Sequence, residues 1–287
     1  MAAAAALAQI ALPRRMLVGG GATRGLGALL QALNLRRPAV VTDPFQVSAA
    51  GSLAHVEDAL RNKVESWSTF SDTEPDPTTD SVARCTEFIR AGKFDCVVAL
   101  GGGSPMDTAK AAGLLAVKGG RMRDYKAPVQ TDEGGLPVVA VPTTAGTGSE
   151  VTRFTIVTDS ETGEKMLCIG LAFLPVAAVV DYELTLTMPA RLTADTGVDA
   201  FCHAMESYVS KRHNLFSDTL ALKAVNRIAT SIRAAYAEPG NRAAREQMML
   251  AATEAGIAFS NSSVTLIHGM SRPCVPRERA GRRRASH

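Results

Sequence analysis

Paired cysteines, aromatic residues and long apolar runs are all scarce in this chain, and each scarcity removes a class of protein. The five cysteines (85, 96, 168, 202 and 274) are scattered and form no C-x-x-C pair. Neither a zinc cluster nor a disulfide framework is expected from them, and a reducing cytoplasm is the simplest setting. No apolar run approaches the ~20 residues needed to span a bilayer, and no internal repeat is present. The alanine-rich start places Arg14 and Arg15 after its apolar stretch rather than before it, the wrong order for a secretory signal. Strand-like residues 16–18 follow at once and leave little for a transit peptide. The formal charge of +3 is a property of the C-terminal end. The last fourteen residues hold five arginines and one glutamate, and the other 26 basic and 27 acidic residues nearly balance. That tail has no interleaved aromatics and no recognisable module, so no nucleic-acid partner is expected.

What remains is a 287-residue chain, long enough for two domains and a sizeable core. Apolar, β-branched runs at 39–42, 95–100, 136–141, 154–158 and 176–180 alternate with helical patterns at 25–33, 48–64, 81–91 and 105–118. Alternation of this kind predicts a parallel sheet wrapped on both faces. The acidic, proline-containing stretch 72–80 reads as a loop. After Met188-Pro189 only helical periodicity continues, through about 191–211, 216–236 and 241–259. The expected division is therefore an α/β domain over 1–188, a helical one over 189–273 and a basic tail over 274–287.

The stretch around which the chain is organised is Val97–Lys110, V-V-A-L-G-G-G-S-P-M-D-T-A-K. A strand stops at three glycines, and Ser104, Pro105 and Asp107 have the spacing of an N-cap, a first helical residue and a capping-box acid. A glycine turn running into a helix N-terminus presents bare amides and the positive dipole end, an anion site suited to phosphate. A second glycine- and hydroxyl-rich stretch, Thr143-Thr144-Ala145-Gly146-Thr147-Gly148-Ser149-Glu150, follows another strand and is expected at the same sheet edge, where it suits ribose and pyrophosphate. Asp43 ends the strand at 39–42. It fits either an adenosine ribose, which would favour NAD over NADP, or a helix N-cap before Pro44. Farther on, Asp199 and His203 stand four apart on one helical face, and His268 lies in the run Ile267-His268-Gly269-Met270. A carboxylate with imidazoles suits iron(II) or zinc(II). The G-x-x-x-G-x-G spacing from Gly21 to Gly27 invites comparison with short-chain dehydrogenases. Their Tyr-x-x-x-Lys pair is absent, Tyr208 and Lys211 being one residue too close, so that reading is rejected.

Taken in order, G-G-G-S-P-M-D-T-A-K, P-T-T-A-G-T-G-S-E, D-Y-E-L-T-L-T-M-P, G-V-D-A-F-C-H-A and L-I-H-G-M-S-R-P resemble the iron-containing (group III) alcohol dehydrogenases over about residues 10–273. The resemblance implies a Rossmann-like α/β domain followed by an all-α domain, the dehydroquinate synthase-like architecture, with the site in the cleft between them. It implies NAD, with Gly102, Gly103 and Ser104 on the pyrophosphate, Asp107 supporting that loop, and Asp43 on the adenosine ribose. Thr143, Thr144 and Thr147 would line the ribose and nicotinamide, with Phe154, Lys165 and Leu184 completing the pocket. Asp76 stands where the family often has asparagine. Asp199, His203 and His268 would hold a divalent metal, iron(II) first and zinc(II) second, and act through it as the catalytic group. The metal would polarise the substrate oxygen while hydride passes between an alcohol carbon and the nicotinamide. A small alcohol, aldehyde or ketone substrate, a cytoplasmic location, and a dimer of the folded chain are implied as well.

After Pro273 the family would continue into further helices and supply another histidine ligand, whereas this chain runs C-V-P-R-E-R-A-G-R-R-R-A-S-H. The expectation is a truncated or frame-altered product with an incomplete helical domain, in which NAD binding survives better than metal binding or turnover. Two other functions compete with the dehydrogenase. One is a nucleotide-binding remnant without catalysis. The other is a phosphate-substrate enzyme of the same architecture, similar to glycerol-1-phosphate dehydrogenase or dehydroquinate synthase; maleylacetate reductases, which share the fold without metal, fit Asp199 and His203 less well.

Overall fold

The computed structural model describes residues 7–274. Six strands form one parallel sheet: β1 (Arg15–Val18), β2 (Pro38–Val41), β3 (Ser68–Phe70), β4 (Cys96–Gly101), β5 (Val138–Pro142) and, completing it, β8 (Ala177–Val180). Their order is β1-β8-β5-β4-β2-β3, and every neighbouring pair is parallel. β2, β4, β5 and β8 are buried along their whole length, which explains why they read as continuous apolar runs rather than as alternating ones.

Helices cover both faces, as the alternation predicts. On one face α4 (Thr79–Gly92) and α5 (Gly103–Lys118) enclose a core that includes Val82, Ile89, Val97, Ala99 and Leu114. On the other, α1 (Leu26–Ala32) and α3 (Ser52–Leu60) pack Leu26, Leu30, Val56 and Leu60 against Val40, Val98 and Leu100. The helix expected over 48–64 is shorter: α3 begins only after Gly51, whose φ of 67° is left-handed, and stops at Leu60, with a separate short helix, α2 (Pro44–Val47), ahead of it. Gly27 serves packing: a Cβ there would lie 2.2 Å from the Ala59 carbonyl oxygen, so α1 and α3 need a glycine where they cross.

Residues 154–158 do form a strand, β6 (Phe154–Thr158), but not in the main sheet. It pairs antiparallel with β7 (Lys165–Ile169) as a separate hairpin. Among the described residues after Met188 every regular element is a helix: α6 (Ala190–Val209), α7 (Leu215–Ala237), α8 (Arg242–Ser260) and α9 (Leu266–Cys274). A third core, including Ala200, Ala204, Ile228, Met248 and Ala252, binds α6, α7 and α8 together and to Ala178 and Val180 of β8. Of the tail expected over 274–287, Cys274 closes α9 and the rest lies outside the described residues. No described helix is long and apolar enough to cross a membrane.

Candidate functional site

The two glycine-rich stretches meet at one sheet edge because β4 and β5 are parallel neighbours that end together. The Thr143 N–H donates to the Gly101 carbonyl at 3.0 Å. Gly101 has φ 143°, a conformation that L side chains rarely adopt. A Cβ on Gly102 would fall 3.2 Å from Thr144 Cγ2, and one on Gly103 3.0 Å from Thr147 Cγ2. α5 starts two residues earlier than expected: its N-cap is Gly102, with no side-chain cap. Ser104 is thus inside the first turn, and its hydroxyl accepts from the Asp76 N–H at 3.2 Å. No side-chain cap closes the N-terminus of α5, which leaves its first amides at the positive end of the helix dipole.

Asp107 does more than support its own turn. Its carboxylate accepts from the Ser149 hydroxyl (3.1 Å) and the Ile156 N–H (3.1 Å), clamping α5 to the segment 149–156. One turn later Lys110, buried and absent from the expected site, donates to Ser149 Oγ (2.9 Å) and to the carbonyls of Thr152 and Phe154 (both 3.0 Å). Burial pushes Asp107 up to about 6, against the pull of Lys110, Ile156 and Ser149. It pushes Lys110 down to about 8, against Asp107 and Glu150. The same segment is tied to the helical half where the Glu150 carboxylate accepts from Thr253 of α8 at 2.8 Å.

The remaining expected cofactor residues divide. Thr147, Phe154 and Lys165 line the same cavity as Gly103, Ser104 and Asp107, and Lys165 pairs with Asp76 at 2.7 Å. Asp43 caps α2, accepting from the Gln46 N–H at 3.0 Å, while its other oxygen lies beside Gly101; burial raises its carboxyl. Gly102, Thr143 and Thr144 are not among the residues that line that cavity. Leu184 is buried in the core beneath the sheet, with Leu26 and Leu30, away from the cavity wall. Asp181, which begins the D-Y-E-L-T run, is structural. Its carboxylate accepts from the N–H groups of Gly21, Thr23 and Glu183.

Asp199 and His203 project from one face of α6, and α9 brings His268 to them. Nitrogen and carboxylate atoms of the three lie within 4.8 Å of one another. His203 Nδ1 stands 3.8 Å from Asp199 Oδ2, and His268 Nε2 stands 3.5 Å from Asp199 Oδ1. Among the described residues His203 Nδ1 is buried with no hydrogen-bond partner, a costly arrangement unless something fills the place opposite it. One carboxylate and two imidazoles with an orphaned ring nitrogen fit a borderline divalent cation. Burial lowers the His203 pKa, which keeps its lone pair available. His268 is raised, by Asp199 and then by Glu206. The Glu206 carboxylate was missed in the sequence although it follows His203 by three on the same helix face. It accepts from His268 Nδ1 at 2.6 Å and from both the N–H and hydroxyl of Thr265 at 2.7 Å. Burial alone would raise Glu206; those bonds outweigh it and leave its pKa lowered.

One cavity of about 670 Å³ runs from Gly103 and Ser104 to Asp199, His203 and His268. A column of rings spans part of its wall. Phe154 stacks on Phe259 (5.9 Å between centroids), Phe259 on His203 (4.4 Å), and His203 on His268 (4.5 Å). The phosphate-type turn and the candidate metal ligands therefore open into one space.

Residues 13–182 match the family described as iron-containing alcohol dehydrogenase, and residues 193–275 match its C-terminal counterpart. The chain is 36% identical over 260 residues to the NAD-dependent methanol dehydrogenase of Bacillus methanolicus, covering 91% of this chain and 68% of that protein. Among solved structures, an alcohol dehydrogenase from Oenococcus oeni superposes with TM-score 0.88 at 31% identity, covering 92% of this chain and 69% of that one. A sulfoacetaldehyde reductase from Bifidobacterium kashiwanohense, solved in complex with NAD+, gives TM-score 0.86 at 35% identity, covering 93% and 71%. The order of sheet and helices, the placement of the five motifs and these matches lead to one assignment: the chain belongs to the iron-containing alcohol dehydrogenase family.

Proposed function

We propose that the protein is an NAD- and metal-dependent alcohol dehydrogenase that interconverts a small alcohol and its aldehyde or ketone. The observation that carries this reading is the shared cavity, with the α5 N-terminus at one end and Asp199, His203 and His268 at the other. In this reading residues 1–188 are the dinucleotide unit and 189–273 the metal-bearing unit. Gly102, Gly103 and Ser104 hold the pyrophosphate through backbone amides and the helix dipole. Asp43 takes the adenosine ribose, and Thr143, Thr144 and Thr147 border the nicotinamide half, with Phe154 and Lys165 along the wall. Leu184 acts from behind, by packing under the turn.

Asp199, His203 and His268 would hold iron(II) or zinc(II). Bound there, the cation supplies Lewis acidity toward the substrate oxygen, and the dinucleotide supplies the hydride carrier. The protein's own share is positional. Phe259 fixes the His203 ring between two aromatic faces, and Asp107 with Lys110 fixes the segment 149–156 that forms the wall between the two ends. Substrate carbon and nicotinamide are thereby held to a narrow set of approaches, which is where orientation lowers a barrier.

The test is NADH formation, followed at 340 nm, from short primary and secondary alcohols after loading with iron(II) or zinc(II). Turnover that His203→Ala abolishes is the expected result. NAD binding with neither metal uptake nor turnover would instead leave a nucleotide-binding protein without catalysis.

A further inference from the structure

α9 carries the third candidate ligand, yet Leu266 and Ile267 on it are exposed (73% and 68%). Apolar burial by these two residues therefore does not hold the helix in place. Glu206 of α6, itself buried, makes the polar connection. One of its oxygens takes the Thr265 N–H and hydroxyl just ahead of α9; the other takes His268 Nδ1.

A neutral imidazole has one N–H and one lone pair, and the partner of one nitrogen decides the state of the other. An ionised carboxylate only accepts. A 2.6 Å contact to Nδ1 therefore keeps the proton on Nδ1 and leaves the lone pair on Nε2, the nitrogen 3.5 Å from Asp199. We propose that Glu206 is a positioning residue that sets the His268 tautomer and, through Thr265, docks the helix bearing it, so that Nε2 faces the cavity as a ligand. The inference rests on the metal reading of Asp199, His203 and His268 for its purpose, and on Glu206 geometry alone for the tautomer. Carboxylate support of a ligating histidine commonly changes metal affinity 10–100-fold.

Glutamine separates the two roles. Its amide oxygen still accepts from Thr265, while its NH2 group then faces His268 Nδ1 and demands a lone pair there. In the full chain with 15N-labelled histidine, at a pH where the ring is neutral, wild type should show His268 protonated at Nδ1. Glu206→Gln should move the proton to Nε2 and weaken zinc(II) binding, read by competition with a chromophoric chelator, about 10–100-fold. Amide-exchange protection of α9 should persist in Glu206→Gln and fall in Glu206→Ala. An unchanged tautomer in Glu206→Gln, or zinc affinity within twofold of a zinc-binding wild type, overturns the proposal. A tautomer that switches in a chain whose wild type takes up no zinc upholds the assignment for Glu206 and refutes the metal centre instead.

Discussion

Replacing Lys110 by methionine removes the cation from a buried cluster without opening a large cavity, since the two side chains are similar in length. The ammonium contacts Ser149, Thr152 and Phe154, and its charge pulls the Asp107 carboxyl, and to a lesser degree that of Glu150, down against the burial that raises both. Breaking a buried pair by deleting one partner costs about 3–5 kcal/mol. The lower end applies here, because Asp107 keeps its bonds from Ser149 and Ile156 and can take up a proton. At about 2–4 °C per kcal/mol for a chain of this size, the thermal midpoint at pH 7, between the Asp107 and Lys110 values, should fall by roughly 6–12 °C. The variant also carries a pH signature. Asp107 already sits at about 6, above its ordinary 3.8, so its contribution to stability is present below about 3.8 and is lost as pH rises through 6. Without Lys110 the folded value climbs further, so the deficit relative to wild type should be small at pH 5 and large at pH 7. Adding Asp107→Asn removes the stranded charge, and the double variant should be more stable at pH 7 than Lys110→Met alone. Chemical denaturation of the four proteins at both pH values decides it. A single-variant cost below about 1 kcal/mol, or a double variant that is simply additive, would refute the reasoning.

Three further outcomes are expected. Gly256→Ala would put a Cβ 2.8 Å from the Gly148 Cα, where α8 meets the 143–150 turn. It should cost about 1–3 kcal/mol in denaturation and weaken NAD binding. Gly101→Ala forces a side chain onto a φ of 143° and against the Pro105 ring. It should destabilise by about 1–3 kcal/mol and weaken NAD binding in calorimetry, while zinc binding stays near wild type. His268 is raised above its ordinary 6.5 by Asp199 and Glu206, so in the metal-free protein its contribution to stability is full below 6.5 and lost as pH rises through the folded value. A cation must displace that proton, so zinc affinity should climb roughly tenfold per pH unit until the folded value is passed.

The parts of the site legible in the sequence were those in which local spacing and spatial neighbourhood coincide. Glycines 101–103 and the stretch 143–150 could be placed together because each ends a buried parallel strand, and strands of that composition end at the same edge. Asp199 and His203 share a face by helix geometry alone. The cap at Ser104 was misread because Gly102 can itself adopt the N-cap conformation, which frees Ser104 for Asp76 and Asp107 for residues 149 and 156. Lys110 drew no role from the sequence because its acceptors, Ser149, Thr152 and Phe154, lie about 40 residues on, and nothing in the local spacing brings them to α5. Glu206 lay in plain view three residues after His203, but an acid on a helix face reads as surface until α9 covers it. Phe259 and the ring column depend on α8 crossing both β6 and α6, which no local pattern encodes.

The most direct measurement concerns the distance between the two ends of the cavity. With NAD+ and manganese(II) bound to the full chain, paramagnetic relaxation should broaden the nicotinamide C4 proton far more than the adenine protons, and His203→Ala should abolish the difference. Equal effects on both rings, or stronger broadening of adenine, would contradict a metal centre set against the hydride carrier.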